Sequence, residues 1–426
     1  MDKAQRISRL KSLAIALLLV SALYLLYRAV FYEDSFLAGD IFGSMDMSQT
    51  QSSPSGTAAL SEKPAYLLVT GLDHTHTAAK YNSDMRDKLL SQFSASLGEA
   101  LGSAGDPKSV STEEWQGALS GSGVFYDYLW PQPLSVVAGS LGTSANGAAA
   151  SVSARRLFLS VSDGVHLYYI NAADGNAYRC TTALSAASLS AKLSDYHSGE
   201  AKFAFEQGDA YQSLDPYFIF SGEDTSLGAL TAGNPLPDSG EVTKLFTVFG
   251  MSSRAVSGNI EKGGSVVYVE GSRSLRVDTS GSVLFSVMDK SGVSIAYDGE
   301  LTAPEIISAC AGIAENTIGH TAGEAELVLK AYEADSDTGS IDVEFGYMVD
   351  GIPITAADGS PAATFKVSNG MITRAELNFR KFAYTGDAFT ALPEAQAAAI
   401  ALADGGEPVL TYNDRSDGVT ASWIVR

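Results

Sequence analysis

Two short stretches carry residue types that do chemistry at close spacing. Asp337-Thr338-Gly339-Ser340 spells the D-T-G-S of proteases that work with a carboxylate pair. That chemistry needs two carboxylates sharing one proton, each on a loop held by apolar flanks. Here the flanks, YEADS before and IDVEF after, are acidic and polar. The other Asp-Ser-Gly, at Asp238, lies in a Pro-rich linker out of matching frame. Asp337 therefore reads as a hairpin-turn residue. Asp73-His74-Thr75-His76 sets two imidazoles two residues apart, which on a strand would share a face. A zinc centre needs three or four ligands, and nothing nearby completes a set, so this stretch reads as a polar loop. H-E-x-x-H, G-x-S-x-G, P-loop and dinucleotide glycine patterns are all missing from the sequence. The sequence thus offers no catalytic residues, no metal ligands and no cofactor site, and reads as non-enzymatic.

The element that places everything else is the run Ser12 to Tyr27, which has no charge, Pro or Gly. After Arg28 the apolar character continues to Tyr32. As one helix, residues 12–32 would be about 31 Å long, close to a hydrocarbon core of roughly 30 Å. Lys3, Arg6, Arg9 and Lys11 precede it, so residues 1–11 are expected on the cytoplasmic side. Tyr24, Tyr27, Phe31 and Tyr32 would meet the outer headgroups, where Arg28 could snorkel. The alternative is a cleaved signal peptide, but the bulky YRAVFYED follows where a small-residue cleavage site would stand. The expectation is a single-pass anchor in the cell membrane with all later residues extracytoplasmic. Within it, Ser12, Ala16, Ser21 and Ala22 are small enough for another helix to pack closely. They are the candidate partner contacts.

Charge divides at the same place. The whole chain carries −21 and residues 1–32 carry +4, which leaves −25 for the remainder. Such a balance excludes nucleic acid and anionic phospholipid as surface partners. Two cysteines, Cys180 and Cys310, are too few for a disulfide framework. A single bond between them is open, but two buried thiols are favoured, since Cys310 falls on the apolar face of an expected helix.

Residues 33–63 are Ser/Gly/Thr-rich without periodicity and read as a flexible stalk. Three α+β units are expected after it, at 64–200, 201–300 and 301–426, with antiparallel β-meander sheets packed against helices. In the first, Met85, Leu89, Phe93, Leu97 and Leu101 form one helical stripe, and Ser111 to Glu114 fits a capping box. Val124 to Trp130 should be a strand stopped by Pro131, and Asp163-Gly164 and Asp174-Gly175 should turn hairpins. The stretch 183–196 reads as helix. In the second, a loop over 221–240 leads to the apolar run Lys244–Gly250 and then to short strands from 265 to 299. The third opens with the capping box Thr302 to Glu305, and its helix stripe is Ile306, Cys310, Ile313 and Ile318. A meander follows with turns at Asp350-Gly351 and Asn369-Gly370, including one long strand over 372–385. Pro393 then opens a last helix, ended by Gly405-Gly406, before two closing strands.

From residue 241 onward the chain resembles the YycH/YycI family. LFTVFGMSSRAV and SVVYVEGSRSLRVDTSGSVLFS match a strand reading roughly Y-x-x-G-x-R-x-L, here Tyr268, Gly271, Arg273 and Leu275. VEFGYMVDGIPIT, ATFKVSNGMITRAELNFRKF and LTYNDRSDGVTASWIV are similar to the last domain of the family. VFYDYLWPQPLSVVAGSLG looks like its first-domain segment. The stalk and the Ala/Gly-rich residues 138–152 depart from the pattern. The resemblance, closer to YycH, implies a membrane-anchored regulator from Gram-positive bacteria without catalytic residues or cofactors. Its implied partners are a sensor histidine kinase of the WalK type, which controls cell-wall metabolism, and a YycI-like protein. Contact would run through transmembrane helices and ectodomains. The alternatives are an extracytoplasmic binding module for an envelope ligand or lipoprotein, and a protease inhibitor or assembly chaperone with PepSY-like sheets.

Overall fold

The computed structural model describes residues 63–426 apart from 82, 223–225, 237–238, 255, 290, 336, 404 and 417. Ser12, Ala16, Ser21 and Ala22, the expected anchor 12–32 and all of the stalk except Lys63 lie outside the described residues. Among the described residues no helix is long and apolar enough to cross a membrane. The architecture is α+β, with antiparallel sheets and helices packed on them.

Seven antiparallel strands form the N-terminal sheet. Their order is His76–Ala79, Tyr66–Thr70, Gly123–Pro133, Ser153–Val161, Val165–Asn171, Ala177–Thr181 and Lys108–Val110. Side chains alternate between faces along a strand. Leu67 and Val69 point to one side, where the helix Ser83–Gly102 lays Leu89, Phe93, Leu97 and Leu101 against them. The helical stripe expected from the sequence is therefore the buried one. Tyr66 and Leu68 point to the other side, packing with Trp115, Phe125 and Phe158 and with Val328, Met348 and Val409 from the C-terminal half. Both faces are covered, which explains why Tyr66–Thr70 is apolar throughout rather than alternating. Ser111 caps the helix Thr112–Leu119 by accepting the Glu114 N–H at 3.2 Å.

Pro131 does not stop its strand. The pairing of Gly123–Pro133 with Ser153–Val161 breaks after Asp127 and resumes at Gln132 opposite Ala154. The proline sits inside that irregularity, where no ladder bond asks for its missing N–H. Leu129, with φ +65°, makes the bend.

The second sheet has twelve strands. Ser257–Ile260, Val266–Glu270, Arg273–Val277 and Ser282–Val287 form a meander, and Ser282–Val287 pairs directly with Met371–Asn378. From there the sheet runs through Ala363–Ser368, Ser340–Val349, Ile352–Ala356, Pro408–Arg415 and Gly418–Val425. Glu326–Asp335 lies on the other side of Ser340–Val349, and Val293–Ser294 pairs with Met371–Asn378. Ile352–Ala356 and Pro408–Arg415 run parallel; the other pairs are antiparallel. The sheet thus continues through residue 300. So does its core, in which Phe249 stacks on Phe285 at 4.3 Å and the helix Ala303–Thr317 buries Ile306, Cys310 and Ile313. That helix opens as its sequence requires, with the Glu305 carboxylate accepting the Thr302 N–H and hydroxyl, each at 2.8 Å.

The turns Asp350-Gly351 and Asn369-Gly370 have φ of +52°/+79° and +52°/+72°. Both central residues are left-handed, as the tightest hairpin turn demands, and Asp-Gly and Asn-Gly are the pairs that tolerate it.

Two further local expectations are corrected. The loop over 221–240 contains a strand, Ser226–Gly233, paired with Lys381–Thr390 in a separate two-stranded sheet. Its sequence, SLGALTAG, has little β preference, so the pairing decides its conformation. The single strand over 372–385 is broken at Phe379-Arg380. There the Phe379 N–H donates to Gly281 O and the Phe382 N–H to Ala322 O, taking the chain off the large sheet. The apolar run Lys244–Gly250 belongs mainly to the helix Ser239–Val248, ended by Gly250 at φ +63°.

Candidate functional site

The two chemistry-bearing stretches are built by the same device, an aspartate folding a loop onto its own carboxylate. Asp337 is exposed in the turn before Ser340–Val349. Asp335 organises that turn, accepting the Asp337 N–H at 2.8 Å, the Thr338 N–H at 3.3 Å and the Thr338 hydroxyl at 2.7 Å. These bonds, the Thr338 hydroxyl first, hold the Asp335 carboxyl below its usual range. Among the described residues no carboxylate is hydrogen-bonded to that of Asp337. Asp337→Ala is therefore expected to leave the thermal unfolding midpoint unchanged, while Asp335→Ala lowers it; differential scanning fluorimetry on the two variants checks this.

At Asp73 the carboxylate accepts the Thr75 N–H at 3.1 Å and its hydroxyl at 2.9 Å. His74 is exposed with φ +65°, so the strand begins only at His76 and the two imidazoles do not share a face. His76 turns inward, with Nδ1 2.8 Å from Thr70 Oγ1 and Nε2 3.1 Å from Glu206 Oε1. Glu206 also accepts from Ser120 Oγ at 3.2 Å and from the Phe203 N–H at 2.9 Å. Burial pushes the Glu206 carboxyl up, but the His76 contact and these donors outweigh it and bring it below the usual range. The arrangement ties the segment after residue 200 to the N-terminal sheet. Among the described residues no three of His, Cys, Asp and Glu are grouped as metal ligands. Cys180 and Cys310 are free, buried thiols in different cores, as favoured from the sequence. Burial pushes the Cys180 thiol up to about 11 and raises that of Cys310 as well.

Sequence reasoning missed the densest cluster of charge. Asp127 and the pair Arg155-Arg156 sit on adjacent strands of the N-terminal sheet. Neighbouring residues on a strand ordinarily face opposite ways, but the ladders skip register on either side of Arg155-Arg156. That irregularity brings both guanidiniums to one carboxylate. Arg155 Nε and Nη2 reach the two Asp127 oxygens at 2.7 and 2.9 Å, and Arg156 Nε reaches Asp127 Oδ2 at 3.0 Å. Glu407, from the C-terminal half, receives Arg155 at 2.6 Å twice and Arg156 at 3.2 Å. Asp215 receives Arg156 Nη1 at 3.0 Å. Burial alone would push the Asp127 carboxyl up; the Arg155 and Arg156 charges win and hold it far below the usual carboxylate range.

A second buried pair lies nearby. Lys80 Nζ is 2.8 Å from Glu394 Oε1 and donates to Ile219 O at 2.7 Å, within side chains 1% and 5% exposed. The rings of Tyr66, Tyr81 and Phe218 surround the ammonium at 5.0, 5.0 and 4.4 Å, where their faces attract it. Glu394 Oε2 accepts the Ser221 N–H at 2.6 Å. Together the two clusters fasten the N-terminal sheet to residues near 215–221, 394 and 407.

Of the residues that carry the family resemblance, Arg273 donates to Ser291 O at 3.1 and 3.2 Å and to Gly250 O. It staples two loops beside its strand. Gly271 makes the preceding turn at φ +60°, Leu275 is buried, and Tyr268 packs edge-on against Phe246 at 4.9 Å. These positions build the sheet rather than a reactive centre.

A cleft of about 840 Å³ opens where Trp130, the turn Ser280–Ser282 and the strands of the C-terminal half come together.

No protein-family model matches the chain, and no curated protein matches it in sequence. In fold it is similar to the crystal structure of YycH from Bacillus subtilis, with a TM-score of 0.55 and 13% sequence identity over 87% of this chain and 96% of that one. The arrangement of sheets and helices described above is the fold of YycH.

Proposed function

We propose that the chain is a membrane-anchored, non-enzymatic extracytoplasmic regulator of a sensor histidine kinase of the WalK type, acting on cell-wall metabolism. The observation that carries this reading is the likeness to YycH along nearly all of both chains, together with the runs around Tyr268–Leu275 and 343–382 that resemble the same family. In this reading residues 12–32 hold the protein in the bilayer, the N-terminus is cytoplasmic, and a YycI-like protein is a second partner.

A regulator with its folded mass outside reaches a cytoplasmic kinase output through lateral contact in the bilayer or between ectodomains. Helix association in lipid rests on close packing; if residues 12–32 form one helix, Ser12 and Ala16 would stand one turn apart and supply the edge for it, with Ser21 and Ala22 further along. Ala16→Phe is expected to abolish most regulation while leaving membrane insertion intact. A kinase-dependent reporter compares the native anchor, Ala16→Phe and an unrelated anchor of equal length. Equal regulation by all three would reduce the helix to a tether and move the contact to the ectodomain. Failure of the kinase to co-purify with the native protein from membranes would remove the reading itself.

A further inference from the structure

The cleft beside Trp130 is electrically balanced in a chain whose residues beyond 32 carry −25. Lys330, Arg380 and Arg426 line it, and so do Asp358, Glu376 and Asp414. Each carboxylate is engaged. Asp414 Oδ2 receives Arg380 Nε at 2.8 Å, Glu376 Oε1 receives Arg374 Nε at 2.9 Å, and Asp358 Oδ1 accepts the Ser360 hydroxyl at 2.6 Å. Main chain along the lining is engaged as well. The Ala357 N–H donates to Asp414 O at 3.1 Å, the Gly359 N–H to Ala356 O at 2.9 Å and the Ala362 N–H to Phe345 O at 2.8 Å.

What is left for a ligand is carried by side chains. Among the described residues the Lys330 ammonium, the Trp130 Nε1–H and the hydroxyls of Ser280, Ser282 and Thr355, all in the lining, make no hydrogen bond. The backbone puts them there. Leu329 faces Phe345 and Ala331 faces Glu344, so Lys330 is the extra residue of a β-bulge, a device that re-aims a side chain. Gln132 reaches across from the N-terminal sheet to hold that bulge, donating to Leu329 O at 2.9 Å. Ser280 and Ser282 flank Gly281, which has φ +97° and accepts the Phe379 N–H at 2.9 Å. A Cβ at Gly281 would stand 2.8 Å from Phe379 O, so glycine is what lets this turn settle against the cleft. Arg426 lies over the Trp130 ring, its guanidinium carbon 4.9 Å from the centroid, and the two form one wall. Ile354, Pro361 and Ile424 add apolar lining.

These features select a ligand class. A strongly charged ligand gains little from a lining whose acids and bases cancel, and an anionic one also meets the negative body of the protein. An extended peptide binds through main-chain partners, which the loop over 357–362 already uses internally. A saccharide needs neither net charge nor main chain. Its hydroxyls donate to and accept from side chains, and the C–H faces of its rings pack on aromatic and proline surfaces. The cleft's volume of about 840 Å³ lies within the roughly 300–1,000 Å³ of small-molecule sites. We propose that this cleft binds a neutral oligosaccharide, packed against Trp130 and Pro361 and hydrogen-bonded by Lys330, Ser282 and Thr355. The assignment is independent of kinase regulation, because it needs only this one chain and the sugar.

The test uses the full chain in micelles of a detergent without a sugar headgroup, read by isothermal titration calorimetry. Tri-N-acetylchitotriose and maltotriose are the neutral probes, trigalacturonate the anionic one, and tetra-alanine capped at both ends the peptide. At least one neutral sugar is expected to bind at millimolar concentration or below. Trigalacturonate and the capped peptide should each bind at least about tenfold more weakly. Lys330→Met should weaken the neutral sugar by about tenfold or more, since it removes a charged donor, and Ser282→Ala by about threefold or more. Trp130→Phe keeps a ring and loses the Nε1–H, with an expected loss of about threefold or more. Unchanged unfolding midpoints show that the variants fold. The proposal is overturned if neither neutral sugar binds, or if trigalacturonate or the peptide binds as tightly as the better sugar. It is equally overturned if Lys330→Met and Ser282→Ala both bind as the native protein does.

Discussion

Replacing Asp127 with alanine is expected to destabilise the protein by about 3–5 kcal/mol, because it leaves Arg155 and Arg156 buried without their shared carboxylate. Urea unfolding followed by far-UV circular dichroism measures it. The same carboxylate sets an acid limb. Its folded pKa lies far below the value of about 3.9 for an unperturbed aspartate. The unfolded state therefore binds the proton first as pH falls, so the stability Asp127 contributes is complete above about pH 5 and is lost progressively below it. Asp127→Asn keeps the shape of the side chain and removes the titration. Its stability should fall less steeply between about pH 5 and pH 2 than that of the native protein. Parallel acid limbs for the two proteins would show that Asp127 is not the group responsible.

The second large effect is expected at Lys80. Lys80→Met strands the Glu394 carboxylate in a site 5% exposed and should also cost about 3–5 kcal/mol. Glu394→Leu alone strands the ammonium among the three rings and should cost a similar amount. The double variant Lys80→Met/Glu394→Leu places apolar side chains of similar length in the same space, so most of the loss should return. A double-mutant cycle from urea unfolding gives the coupling directly. Additive single losses would mean that each member is held by its other partner, the Ile219 carbonyl that accepts from the lysine and the Ser221 N–H that donates to the glutamate.

What could be read from the sequence was whatever is decided within one turn or one strand. Leu89, Phe93, Leu97 and Leu101 declare their helix because every one of them faces the sheet. Asp350-Gly351 and Asn369-Gly370 declare their turns because few other pairs adopt two successive positive φ values. Ser226–Gly233 was illegible because its conformation depends on a partner 148 to 164 residues away. Pro131 misled because a proline that ends a regular strand is tolerated where the ladder is already broken. The ion cluster left a trace that could have been followed. Asp127 interrupts the aromatic VFYDYLW, and Arg155-Arg156 opens the apolar RRLFLSV. Charges in strands that are buried on both faces have to be paired. The identity of the distant partners, Asp215 and Glu407, was beyond local reading. The candidate partner residues of the anchor rest on composition and packing alone.

The distance between Arg155 and Glu407 along the chain, 252 residues, has a consequence for how the protein is made. Synthesis delivers the strands Gly123–Pro133 and Ser153–Val161 long before it delivers the carboxylate that balances them. Until Glu407 arrives, the N-terminal sheet holds two guanidiniums against Asp127 and Asp215 with one full partner missing. Contacts of such long sequence separation also close late and slowly. Only a chain that includes residue 407 can complete the packing of Arg155 and Arg156, so the N-terminal sheet and the C-terminal half are expected to reach their final state together.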